Sequence, residues 1–166
     1  MLVYPLVLLF PFVMLYAAMM DVLTMRIANT ISLGLAVAFF IVAAIAGMPA
    51  QQMLVHVGVG LAVLVANMLL FHLRLVGGGD AKLIAAAALW VGYEQLIPFI
   101  VYVTIFGGVL ALVLLAYRRA PAGALPLPNW ASRLHNPGEG MPYGVAITAG
   151  ALIVYPLTPL PGLLAA

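Results

Sequence analysis

Long apolar runs alternate along the chain with short breaks of polar, glycine or proline residues. The runs lack a polar face and approach the ~20 apolar residues that carry a helix across a bilayer. Reading from break to break predicts spans over 2–20, 30–47, 53–73, 81–91 (reaching 97 at most), 98–117 and 142–159. The fourth is short. Residues 118–141 form the one long connection, rich in proline and glycine, and read as a loop lying at the membrane surface. The pattern predicts an all-α polytopic membrane bundle of about six transmembrane helices, with both termini on the same side.

Composition narrows the class. Of 166 residues, 67% are hydrophobic and only 6% are charged, against about 25% charged in ordinary soluble domains. A small soluble domain could not bury so much apolar surface. A soluble enzyme, a disordered chain and a nucleic-acid binder are therefore excluded, and residues 1–166 read as a single transmembrane domain in contact with the lipid bilayer. No cation precedes the first apolar run, so it reads as a retained span rather than a secretory signal. With no cysteine, disulfides and thiol chemistry are ruled out. His56, His72 and His135 lack the close spacing of a metal motif, so neither a metal nor another cofactor is expected.

Charge gives the orientation. Arg26, then Arg74 and Lys82, then Arg118, Arg119 and Arg133 fall in alternate connections, while Glu94 lies in one of the others. Short cytoplasmic loops retain Lys and Arg. The cation-bearing connections therefore face the cytoplasm and both termini face out.

Two carboxylates stand at that cytoplasmic boundary. Asp80 closes the run Gly77-Gly78-Gly79-Asp80 at the start of the fourth span. It suits the N-cap and the positive end of that helix. Asp21 follows the first span directly, beside Met19 and Met20. The negative helix end and the apolar neighbours both oppose its charge. The dipole argument thus makes Asp80 the ionised member and Asp21 the protonated one. Environments that push two carboxylates apart in this way divide acid and base roles between them. One then activates water while the other protonates, which is amide hydrolysis of the aspartic-protease kind. Glu139 lies late in the long connection.

These residues carry a family resemblance. Gly77-Gly78-Gly79-Asp80-Ala81-Lys82-Leu83 resembles the GxGDxKL signature of the type IV prepilin peptidases, which are GxGD membrane aspartyl proteases. Asp21 through Arg26-Ile27-Ala28-Asn29 is similar to that family's other aspartate loop, with Ala28 where proline is usual. Pro142-Tyr143-Gly144 resembles its PYG segment. The resemblance implies an inner-membrane endopeptidase that removes the basic leader from prepilins or pseudopilins at the cytoplasmic face. It implies the short, peptidase-only form associated with Tad/Flp-like pili, because the cysteine-bearing domain of the methylating members is missing.

Carried onto this chain, the resemblance makes Asp21 and Asp80 the catalytic pair. Gly77, Gly78 and Gly79 let the Asp80 segment approach a substrate backbone. Lys82 either orients Asp80 or anchors at the headgroups. Asn29 either ties the Asp21 loop or, preferably, caps the second span. Tyr143 offers a hydroxyl to the site. Trp90, Tyr93, Tyr102 and Trp130 read as interfacial aromatics, and His56 and His72 as structural histidines. Small residues, among them Gly60 and Gly107, read as close-packing points. Two alternatives stand beside this reading. One is a GxGD protease of the archaeal preflagellin-peptidase type. The other is a non-enzymatic proton- or ion-translocating subunit, since carboxylates at membrane depth serve such paths too. The sequence leaves the oligomeric state open.

Overall fold

A computed structural model describes residues 3–119, 128–136, 138 and 140–165. Every regular element among them is helical: α1 (Val3–Thr24), α2 (Asn29–Ile45), α3 (Ala50–His72), α4 (Gly78–Val91), α5 (Leu96–Arg119), α6 (Asn129–His135), α7 (Gly144–Val154) and α8 (Pro159–Ala165), with a 3-10 turn over Tyr155–Leu157. Three helices are long and apolar enough to cross a membrane: Pro5–Thr24, Ala50–His72 and Leu96–Arg119. The segments Asn29–Ile45 and Gly144–Leu157 are apolar but shorter, and α4 has only 14 residues. Length alone thus separates three helices long enough to span from the six apolar runs of the sequence.

The short helix is the centre of the bundle. α4 packs against α2, α3, α5 and α7. Its residues Ala81 and Leu83–Val91 are all buried. Alanine supports this twice, through its helix propensity and through the close approach it allows neighbouring helices. Gly60 of α3 serves the same purpose, since a methyl there would lie 3.2 Å from Leu89 Cβ. On the opposite side, α7 meets α5 so tightly at Gly150 that a Cβ would come within 2.9 Å of the Val103 backbone nitrogen. In α1, α2, α3 and α5 many large apolar side chains face outward, Phe12, Leu33, Leu69 and Leu112 among them. That is the surface a lipid solvent requires.

Polar atoms inside the bundle are satisfied across helices. Trp90 Nε1 donates to the Leu35 carbonyl at 2.9 Å, joining α4 to α2. His56 Nδ1 bonds the Leu89 carbonyl at 2.8 Å, joining α3 to α4, and its ring stacks on Phe39. Thr148 Oγ1 donates to the Met14 carbonyl at 2.9 Å, joining α7 to α1. His56 is therefore structural. Trp90 corrects the sequence reading: it is fully buried among Phe10, Phe39 and Tyr155 rather than interfacial. Tyr93, Tyr102 and Trp130 are exposed.

Two other expectations change. The long connection contains helix α6, and its arginines bind it down. Arg133 donates to the Leu23 carbonyl at the end of α1, and Arg118 to the carbonyls of Leu134 and Gly140. Glu139 lies outside the described residues. The predicted last span is interrupted: α7 ends at Val154, and Pro156 and Pro159 break the chain into the 3-10 turn and α8. Proline lacks the N–H that a continuing helix would need.

Replacing Trp90 by Phe keeps most of the ring contacts but removes the bond to Leu35. Trp90→Phe should lower stability by about 1 kcal/mol, read as a lower thermal midpoint in detergent with unchanged helix content.

Candidate active site

The site forms where α1 ends and α4 and α7 begin. α1 runs to Thr24, four residues past the predicted span end at 20, so Asp21 sits in its last turn. The Thr24 hydroxyl bonds the Met20 carbonyl at 2.7 Å, and Met25 N–H bonds the Asp21 carbonyl at 2.7 Å. Met25 then takes φ +53°, a left-handed conformation that ends the helix. The chain doubles back and buries Ile27. Ile27 is the wedge between the two other helix starts. A Cβ on Gly79 would lie 3.2 Å from Ile27 Cβ, and one on Gly144 would lie 3.1 Å from Ile27 Cδ1.

Asp21 is buried, at 5% exposure. Its Oδ2 accepts a hydrogen bond from the Gly144 backbone N–H at 2.7 Å. Gly144 is the first residue of α7, so this N–H has no partner within its own helix. A carboxylate and a helix start each meet the other's need. The contact requires glycine, because a Cβ at 144 would lie 2.8 Å from Asp21 Oδ2. This partner comes from 123 residues along the chain and was missed in the sequence, where only the Tyr143 hydroxyl of the same motif was singled out.

Asp80 is half-buried in the first turn of α4. It is not the N-cap; that position belongs to Gly77, whose backbone is extended at φ −68°, ψ 145°. The glycine is needed there, since a Cβ at 77 would come 2.8 Å from Asp80 Oδ2. Gly79 gives the close approach to Ile27 described above. Gly78 faces Phe71, a ring edge that can shift. The dipole expectation for Asp80 also fails. Burial, and then the charge of Asp21, push its carboxyl up from 3.8 to about 7. Loss of water outweighs the favourable helix end.

Tyr143 joins the same cluster. Burial raises its hydroxyl pKa, and the charge of Asp80 raises it further. Its ring fits a slot in α5 made by Gly107, where a Cβ would lie 2.5 Å from Cε2. The hydroxyl points toward the Val103 carbonyl at 3.5 Å, a long and weak contact. Tyr143 is thus within electrostatic reach of Asp80.

Lys82 and Asn29 stand apart from the carboxylates. Lys82 Nζ donates to Asn29 Oδ1 at 2.8 Å, tying α4 to the start of α2. Residues two apart on a helix do not face each other, so Lys82 turns away from Asp80 and does not orient it. Asn29 caps nothing: the N-cap of α2 is Ala28, without a side-chain bond.

If Asp21 and Asp80 share a field, removing one charge moves the other group. Asp21→Asn should bring the Asp80 carboxyl down from about 7, while burial still holds it above 3.8. Titration of the carboxyl stretch by infrared spectroscopy reads this, and an unmoved Asp80 would show that the two acids do not sense each other.

The sequence profile of the type IV leader peptidase family matches residues 8–112, a stretch that holds both Asp21 and Asp80 and stops before Tyr143. No curated protein and no solved structure matches the chain. The profile covers well over half of the 166 residues, and this apolar helical protein belongs to the type IV leader peptidase family, a family of proteases.

Proposed function

We propose that the chain is a membrane aspartyl endopeptidase that cuts the leader from prepilins or pseudopilins, with Asp21 and Asp80 as the catalytic pair. The observation that carries this reading is the meeting of the two carboxylates at adjoining helix ends around Ile27, close enough for the charge of one to raise the pKa of the other.

The roles follow from the surroundings. Asp21 Oδ2 accepts the Gly144 N–H, a bond that favours its charged form against the cost of burial. Asp80, pushed up to about 7, holds one below neutrality. In the resting pair Asp21 is the base and Asp80 the acid. Asp21 takes a proton from water as the oxygen adds to the scissile carbonyl carbon, and Asp80 gives its proton to the carbonyl oxygen. Collapse of the tetrahedral intermediate breaks the C–N bond. Asp21 returns its proton to the leaving amine, and Asp80 recovers one from the hydroxyl. One water is consumed, and one carboxylic acid and one amine are released. Each transfer is ordinary general acid–base chemistry.

The membrane placement belongs to the same reading. Six apolar helical segments enter the bilayer to different depths, both termini lie outside, and the site opens at the cytoplasmic face of the inner membrane. Support comes from the cations. Arg26 lies at the α1–α2 turn, Arg74 at the end of α3, and Arg118 and Arg133 tie the end of α5 to the end of α1. They gather at the same end as Asp21 and Asp80, and Glu94 lies beyond the other end of α4. For the ion-path alternative, Asn67 Nδ2 and Thr148 Oγ1 give no support, since they bond the Val63 and Met14 carbonyls.

Asp21→Asn and Asp80→Asn should each lower processing of a prepilin by about 10²–10⁴-fold, assayed by the mobility shift of the cleaved product in reconstituted membranes. Normal processing by either folded variant would end the proposal.

Activity should also depend on pH with a definite sign. Asp80 must be protonated to act as acid, and its carboxyl lies at about 7. The kcat/KM profile should therefore fall on the alkaline side, by about tenfold per pH unit above that value. A profile still rising well above neutrality would reverse the assignment of the two roles.

A further inference from the structure

A groove of about 560 Å³ runs between α2, α3 and α4. Its polarity is graded along its length. At the end where α2 and α4 begin, it is lined by Asn29, Thr30, Ser32 and Lys82. Farther along, the walls become apolar through residues such as Leu33, Phe40, Leu61 and Leu64. The antiparallel run of α3 closes the third side, from Met68 near the polar end to Val57 at the far end.

Two polar groups at the head of the groove are incompletely satisfied. The Lys82 ammonium is bonded to Asn29 Oδ1, a neutral acceptor that leaves its charge uncompensated. Ser32, only 7% exposed, has a buried hydroxyl with no hydrogen-bond partner among the described residues. A buried hydroxyl without a partner is costly.

We propose that this groove binds one anionic phospholipid, with its phosphate at Lys82 and an acyl chain along α3. Two features carry the proposal. The cation stands where the apolar wall begins, and everything beyond is hydrocarbon. An acyl chain has about 16 Å of apolar wall to lie along from Val57 to Met68, at ~1.5 Å per residue of helix. The assignment is independent of the peptidase reading, because none of these contacts involves Asp21 or Asp80.

The test uses the full chain reconstituted in vesicles of phosphatidylcholine with one-fifth phosphatidylglycerol, followed by mild detergent extraction and native mass spectrometry. One phosphatidylglycerol should stay bound per chain, in preference to phosphatidylcholine. Lys82→Gln should weaken its retention about fivefold, the effect of one cation near a lipid headgroup. Ala36→Phe, which fills the apolar part, should remove it. The wild type provides a check that needs no variant. Phosphatidylglycerol with a photoreactive acyl chain should label α2 and α3 within the groove above the other outward faces. Equal retention of the two lipids, or labelling spread evenly over α1, α3 and α5, overturns the proposal. Loss with Lys82→Gln but not with Ala36→Phe also overturns it, since that is surface attraction without a groove. So does cross-linking of an added apolar helical peptide into the groove in place of lipid.

Discussion

A carboxylate inside an apolar bundle must find compensation or carry a proton, because moving its charge out of water is costly. This chain meets that constraint with unpaired helix ends. Asp21 is compensated by the first N–H of α7. Asp80 lies in the first turn of α4, yet burial and the neighbouring acid still push it to about 7. The meeting of α1, α4 and α7 depends on that arrangement. Without a helix start facing it, Asp21 would be an uncompensated buried acid, and without Asp21 nearby only burial would hold up the carboxyl of Asp80.

Glycine makes the meeting possible, at three positions for three reasons. Gly144 lets the α7 backbone touch the Asp21 carboxylate. Gly77 leaves room for the carboxylate of Asp80. Gly79 seats α4 on Ile27. Ile27 reaches that place because Met25 accepts a left-handed turn at the end of α1. The usual proline of the motif is alanine here, at Ala28, and Ala28 nevertheless takes the extended backbone that starts α2. The local geometry survives the substitution because the φ of −66° at that position is the one proline would impose.

The rest of the fold keeps this junction from drifting. α4 is too short to span, but it is buried from Leu83 to Val91 and bonded to its neighbours through Trp90 and His56. A helix held by lipid alone would be free to slide along its axis. One pinned by side chains to the carbonyls of adjacent helices is not. The same principle extends to α6, which Arg133 fastens to the end of the helix that carries Asp21.

The sequence by itself determined the solvent and the helical class, and it singled out the two acids. Each is written in residue type: continuous apolar runs exclude water as the surrounding medium, and two aspartates, one after methionines and one after glycines, are conspicuous where ionisable groups are expensive. Where a helix ends was less legible. Val22–Thr24 extend α1 past the apolar run and draw Asp21 into the helix, while the cap of α4 falls on Gly77 and not on the acid. Only the tertiary structure decided the partners. Lys82 goes to Asn29, Trp90 turns inward to Leu35, and the N–H that meets Asp21 comes from Gly144. The physical reason is that a backbone donor has no sequence signature. Which N–H is left free, and which carboxylate it faces, follows from how the helices pack.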